Sequence, residues 1–433
     1  MNRRDLVPWL LIIAITVIYL LFPTRVYYWD GIVFARMIED AKSLSPSLVH
    51  PNHLIYNFAG YIFYKLLRSL GADIRALTAL QILNIFLSAA CARIFYSILL
   101  NTLRSLYLAL CLTALFAFSA TWWKFSTDAN AYVPSVLFLL ISFYLVLPKQ
   151  KARPLLLAVT FFITMAFHQL AIFMWPVLAL GVYLQDGELS IKRRAFNTAY
   201  FSAVAAVLII ASYAYLFYLA SGSSDLQRLL SWTASYSPDA DTGFNLWSNL
   251  RYSLRGHVRL FFGGRFNLLS NLIHPWVIVL MICLISATVL FIFDVVRSLM
   301  NRRWVREFRL ATRQKTVLLL ALLWTFVYVV FLFFWLPQNT FYRLFYLPAL
   351  ILLLGLLLVA AQSTAAKSRT LAAFVVAVTL SNFLFMIYPF SLEGAPNSGL
   401  TTSSPRTTPK HQTEYSYASE SNSRCQTNSL THH

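Results

Sequence analysis

Charged side chains are scarce in this chain. They make up 12% of its 433 residues, where a soluble globular protein carries about 25%. The shortfall excludes an ordinary soluble domain, because 59% of the residues are hydrophobic and mean hydropathy is +0.64. Acids are rarer than bases, at 16 Asp and Glu against 35 Lys and Arg, for a formal net charge of +19. That excess would suit nucleic acid, but the bases fall between apolar runs. Membrane topology explains the pattern better, and no nucleic-acid partner is expected. Cysteine is scarce too: Cys91, Cys111 and Cys283 lie inside apolar runs, Cys425 lies in the C-terminal stretch, and no disulfide or metal spacing emerges. The apolar runs 317–334 and 347–361 lack the alternation of a transmembrane barrel strand. No repeat of fixed period is present. Phe22-Pro23-Thr24-Arg25 offers no small-residue cleavage site, so Arg3, Arg4 and the run after them read as an uncleaved first helix.

What is abundant is apolar sequence in lengths that cross a bilayer. The fold class expected is all-α, a polytopic transmembrane helical bundle of about 11 spanning helices. The segments lie near 8–26, 54–70, 77–100, 105–121, 131–147, 154–184, 197–220, 276–297, 316–336, 343–361 and 370–388. Residues 1–390 form one transmembrane domain, and the Ser/Thr/Asn/Pro/Gln-rich tail 391–433 is expected to be disordered. Arg302, Arg303, Arg306, Arg309 and Arg313 mark a cytoplasmic loop, and Arg3 and Arg4 put the N-terminus on the same side. The 154–184 run is too long for one straight helix and contains His168, Gln169 and Pro176; it is either one kinked helix or two short ones, and is taken as a single crossing.

Two external loops, 27–53 and 221–275, are then long enough to build a site on the non-cytoplasmic face. In the first, Ile32, Val33, Met37, Ile38, Ala41 and Leu44 share one helix face, as an interfacial helix requires. In the second, Leu246, Trp247, Leu250, Leu254, Val258 and Phe261 alternate with Arg251, Arg255 and Arg259, a basic amphipathic helix at headgroup level with membrane lipids as partners.

Candidate chemistry gathers where the chain leaves the bilayer. Asp30, in Tyr27-Tyr28-Trp29-Asp30-Gly31, suits either a general base acting on an acceptor hydroxyl or a helix N-cap. His50, His53 and Asn57 lie at the mouth of the next segment, where polar groups and a helix N-terminus favour an anion; interfacial capping is the bland alternative. A divalent metal on His50, His53 and an acid is conceivable, but the ligand spacing does not support one and no cofactor is assigned. Tyr342 and Arg343 precede another spanning segment, where an Arg beside hydrocarbon takes an anionic partner or snorkels to a headgroup. Arg255 carries the same two readings. His168 with Gln169 and Lys124 with Asp128 are polar groups in or beside apolar segments, functional or structurally hydrogen-bonded.

An acid just after helix one, an amphipathic juxtamembrane helix and a His-Pro element opening helix two together resemble the GT-C superfamily of membrane glycosyltransferases, near its protein O-mannosyltransferase-like (family 39) branch. Here these are Asp30, the helix over 32–44 and His50-Pro51. The resemblance implies a GT-C-like fold and sugar transfer from a polyprenyl-phosphate-linked donor to an acceptor hydroxyl on the non-cytoplasmic face. Asp30 would be the base, with Arg343, His50 and His53 around the phosphate. Many relatives carry a second acid where this chain has Gly31, and the chain shows neither a soluble C-terminal domain nor a MIR-like module, so the acceptor stays unassigned. A membrane transporter or lipid-linked sugar flippase, or a non-catalytic scaffold, are the rival classes. The chain shows neither an inverted repeat nor paired broken segments for the transporter.

Overall fold

The structure, a computed structural model, describes residues 3–148, 150–185, 189–234, 245–264, 275–300, 310–360 and 369–392. Among them every regular element is helical. The chain runs α1 (Arg3–Leu21), α2 (Trp29–Asp40), α3 (Tyr56–Ser69), α4 (Ala76–Leu103), α5 (Leu106–Phe118), α6 (Ala120–Ser126), α7 (Tyr132–Leu145) and α8 (Pro154–Phe167). It continues through α9 (Trp175–Gln185), α10 (Ile191–Ser221), α11 (Leu226–Ala234), α12 (Leu246–Phe261) and α13 (Pro275–Met300). The last elements are α14 (Thr312–Trp335), α15 (Leu347–Ala360), α16 (Arg369–Asn382) and α17 (Tyr388–Ser391). The clusters Arg302, Arg303, Arg306 and Arg309, the tail from residue 393 with Cys425, and parts of the second external loop lie outside the described residues.

Five of the described helical runs are long and apolar enough to cross a bilayer: Ala76–Leu103, Ile191–Ser221, Val277–Ser298, Thr312–Trp335 and Arg369–Ser391. α5 and α6, bent by 66°, make a sixth if they form one broken span. Leu6–Leu21, α7, α8, Gln169–Gln185 and α15 are shorter apolar helices. Val207, Ile210 and Phe293 turn outward at 65%, 66% and 58% exposure, as lipid-facing positions do. These are the features of an all-helical integral membrane protein.

Two expectations are corrected, and the irregularity expected in the 154–184 run gains its detail. The segment 54–70 is not an apolar span. It yields α3, 14 residues long, which buries Tyr56, Asn57, Gly60 and Tyr61 and exposes Lys65 and Arg68. The 154–184 run breaks at His168, ahead of Pro176, into α8, a 3₁₀ segment Gln169–Met174 and α9. The reason is docking of the His-Pro element: Ile55 N–H donates to the Ala166 carbonyl at 3.1 Å, and Gln169 N–H to the Asn52 carbonyl at 3.2 Å. Each irregular segment satisfies the other's backbone, the condition for leaving helix away from water. Finally, of the apolar face expected around α2 only Ile32, Ile38 and Ala41 are buried. Gly31, Ile32, Phe34, Ala35 and Ile38 face the core, while Val33 and Leu44 are exposed, and the helix stops at Asp40. Glu39 fixes this rotation by accepting from Arg75 Nε and Nη2 at 2.8 and 2.7 Å and from the Ala76 N–H at 2.9 Å.

The start of α2 presses on the turn between α6 and α7. A Cβ at Gly31 would stand 2.2 Å from the Ala129 carbonyl oxygen, a backbone atom with nowhere to go. Position 31 therefore has no room for the second acid of the resembling family. Gly31→Ala is expected to lower stability by about 1–3 kcal/mol, seen as a lower thermal midpoint in detergent.

Candidate functional site

Asp30 lies in the first turn of α2 and is not its cap; Tyr28 holds that position without a side-chain bond. The carboxylate faces the Tyr28 hydroxyl, with Tyr132 and Tyr342 close enough to feel its charge. Burial raises the Asp30 pKa above the ordinary carboxylate value. Burial, and then the Asp30 charge, push the Tyr342 phenol up to about 12. The Tyr28 and Tyr132 hydroxyls are 2.9 Å apart, and Phe341 stacks against both rings at 5.2 and 5.3 Å between centroids. An acid in an aromatic chamber is the result.

The floor of the chamber is set by the turn 127–131. Asp128 is fully buried and accepts from Lys124 Nζ at 2.7 Å, from the Tyr28 N–H at 2.8 Å and from the Ala129 N–H at 2.9 Å. Asn84 Nδ2 donates to the carbonyls of Asp128 and Asn130 at 2.7 and 2.9 Å, and Asn130 Oδ1 accepts from the Tyr132 and Val133 N–H groups that open α7. Asp128 thus ties the residue before α2 to the residues before α7, and sets Tyr28 opposite Tyr132.

The histidines form one wall. His50 and His53 stack at 5.1 Å, and His53 meets His168 edge-on at 4.7 Å. His168 in turn packs on Tyr132 at 4.9 Å and Phe345 at 5.1 Å. Burial holds His50 down at about 4; burial, then His168 and His50, hold His53 well below the usual imidazole range. No group of three or more His, Cys, Asp or Glu placed to hold a metal ion occurs among the described residues.

Arg343 sits in the 3₁₀ turn Phe341–Phe345, next to Tyr342 but fully buried behind it. Its Nη1 donates to the Tyr346 hydroxyl at 2.6 Å and its Nη2 to the Pro337 carbonyl at 2.7 Å, while Nε has no partner. The Tyr346 hydroxyl lies 3.0 Å from His257 Nε2, and His257 Nδ1 lies 2.8 Å from the Ser253 carbonyl. α12 covers the guanidinium so tightly that a Cβ at Gly256 would meet Arg343 Nε within 2.4 Å. No carboxylate pairs with Arg343 among the described residues.

The other positions singled out in the sequence lie elsewhere. Asn57 is buried beside the 46–48 turn, donating to the Leu48 carbonyl at 3.1 Å. Arg255 is exposed on the outer side of α12, whose buried face is Ser253, Gly256 and Leu260. Asp30, Tyr342, His53 and, behind it, His50 are brought together; Tyr28, Tyr132 and His168 complete the chamber. His168 was signalled as a polar break in an apolar run, whereas nothing local marks Tyr132.

An open-sided apolar groove of about 780 Å³ adjoins the chamber, lined by Gln169, Phe173, Ile209, Tyr213, Leu226, Leu230, Phe331 and Trp335 among others. Trp335 joins the two spaces, stacking on Tyr342 with centroids 5.4 Å apart and planes at 17°. No family, curated protein or solved structure matches the chain.

Asp128→Asn keeps an acceptor for the Tyr28 N–H but strands Lys124. Stability should fall by up to about 3 kcal/mol, less than for a sealed pair because the Lys124 side chain is 15% exposed. Thermal unfolding should show partial recovery in the double variant Lys124→Met/Asp128→Asn, which removes the stranded charge.

Proposed function

We propose that the chain is an integral membrane glycosyltransferase of GT-C-like build, moving a sugar from a polyprenyl-phosphate-linked donor to an acceptor hydroxyl on the non-cytoplasmic face. What carries this reading is one juxtaposition: a half-buried carboxylate with no cation partner among the described residues, set in an aromatic chamber and joined through Trp335 and Tyr342 to an apolar groove. The groove's size falls within the roughly 300–1,000 Å³ of small-molecule sites, and its lining suits an isoprenoid chain.

In the proposed reaction the Asp30 carboxylate takes the acceptor hydroxyl proton. The acceptor oxygen bonds to the anomeric carbon, the bond from that carbon to the phosphate oxygen breaks, and the electron pair leaves on phosphate. A raised pKa makes Asp30 a better base than an exposed carboxylate. Arg343, buried one residue from Tyr342 with no anion among the described residues, supplies the positive charge that a departing phosphate needs. Its two Nη bonds run to neutral partners, so its charge is not neutralised locally.

Asp30→Asn should cut transfer about 10²–10⁴-fold. The same change should raise the thermal midpoint: the pKa of Asp30 is raised in the folded state, so its ionised form costs stability above that pKa, and the amide has no such cost. An active or less stable Asp30→Asn protein would remove Asp30 as base. In wild type, activity should fall as pH drops through the Asp30 pKa, with an acid limb above the ordinary carboxylate range. Reconstituted protein that translocates the lipid-linked sugar without transferring it would identify a flippase instead.

Arg343→Gln retains donors toward Tyr346 and Pro337 and removes the charge. It should raise the donor concentration needed for half-maximal rate while leaving acceptor dependence unchanged, by steady-state titration of each. Equal effects on both would place Arg343 in the scaffold only.

A further inference from the structure

His53 and His168 reach the chamber in opposite hydrogen-bonding states. His53 Nδ1 lies 3.0 Å from the Phe167 carbonyl, which only accepts, so Nδ1 carries the proton and Nε2 of the neutral ring offers a lone pair. His168 Nδ1 instead accepts from the Leu170 N–H at 3.1 Å, so the proton of the neutral ring is on Nε2. The backbone thus fixes one acceptor and one donor on rings whose centroids are 4.7 Å apart. Neither Nε2 has a hydrogen-bond partner among the described residues, and neither belongs with sealed partnerless atoms such as Arg343 Nε. Both rings are otherwise buried, at 4% and 3% exposure.

A phosphate oxygen without a proton only accepts, so it has nothing to give the His53 lone pair. A hydroxyl both donates and accepts. We infer that His53 and His168 form a subsite for the neutral glycosyl ring, His53 Nε2 accepting from one sugar hydroxyl and His168 Nε2–H donating to the same or an adjacent one, and that His53 does not hold the donor phosphate. The walls agree with this chemistry. Tyr132, Tyr342 and Phe345 surround His168, and aromatic faces are complementary to the slightly positive C–H edges of a pyranose. Burial and the two neighbouring imidazoles keep His53 uncharged, which preserves its lone pair. The subsite rests on the function proposed above.

The test uses the full chain in lipid nanodiscs, with polyprenyl phosphate and a panel of its hexosyl, pentosyl and N-acetylhexosaminyl esters as probes. His53→Asn retains an N–H for the Phe167 carbonyl and deletes the ε acceptor; His168→Asn retains an oxygen for the Leu170 N–H and deletes the ε donor. Wild type should bind at least one ester more tightly than the bare lipid. Each variant should lose about three- to tenfold of that preference while binding bare polyprenyl phosphate as wild type does, which also shows that it is folded. A wild type that binds the bare lipid but prefers no ester overturns the subsite, as does an unchanged preference in both variants. Weakened binding of bare lipid by folded His53→Asn, checked by its thermal midpoint, would make His53 a phosphate ligand. A wild type that binds neither lipid nor esters removes the proposed function, and the subsite with it.

Discussion

The turn between α6 and α7 is the constraint on which the site depends. A non-helical stretch among apolar helices leaves backbone groups with no water to satisfy them, and each orphan costs on the order of 1–3 kcal/mol. The chain answers with side-chain amides from α4. Gln81 Nε2 donates to the carbonyls of Thr24 and Thr127 at 2.8 and 2.9 Å, and Asn84 serves those of Asp128 and Asn130. Because Gln81 also takes the Thr24 carbonyl, the same amides that stabilise the turn fix the approach to α2. Asp30 is positioned as a consequence.

A second such arrangement joins the 50–55 stretch to the break after α8. Their mutual backbone bonds let both stay irregular, and the Tyr213 hydroxyl on α10 closes the arrangement by donating to the Pro51 carbonyl at 3.1 Å. The histidine wall stands at that junction. Its tautomers follow from backbone partners, not from acid-base partners, so the wall has a defined pattern of donors and acceptors without bearing charge.

Besides the Lys124–Asp128 pair, charge stands at two points of opposite sign. Among the described residues Asp30 has aromatic neighbours and no cation partner, while Arg343 has neutral partners and no anion. A fully buried Arg343 without an anion disfavours the folded state, since buried ions are stable only when compensated. Under the proposed function, an anionic, hydroxyl-bearing substrate would offset part of that cost, as expected of a site that binds a transition state. α12 participates by its narrow side: Ser253, Gly256 and Leu260 are buried and let the helix lie against Arg343, while its larger apolar residues and arginines face outward.

Composition and hydrophobic run length alone determined that this is a helical membrane protein, because a chain so poor in charge has no polar coat and only helices satisfy their backbone within such runs. Local patterning also marked Asp30, Tyr342 and the His-Pro stretch, each at a boundary between apolar and polar sequence. It could not show which way α2 turns, since that depends on Glu39 finding Arg75 and on Gly31 meeting a carbonyl 98 positions away. Nor could it show that α3 is amphipathic, or that Asn57 and Arg255 lie outside the chamber. Tyr132 had no local mark at all. Contacts between residues distant in sequence decide these matters, and hydropathy reports only the medium each residue prefers, not the neighbour it meets.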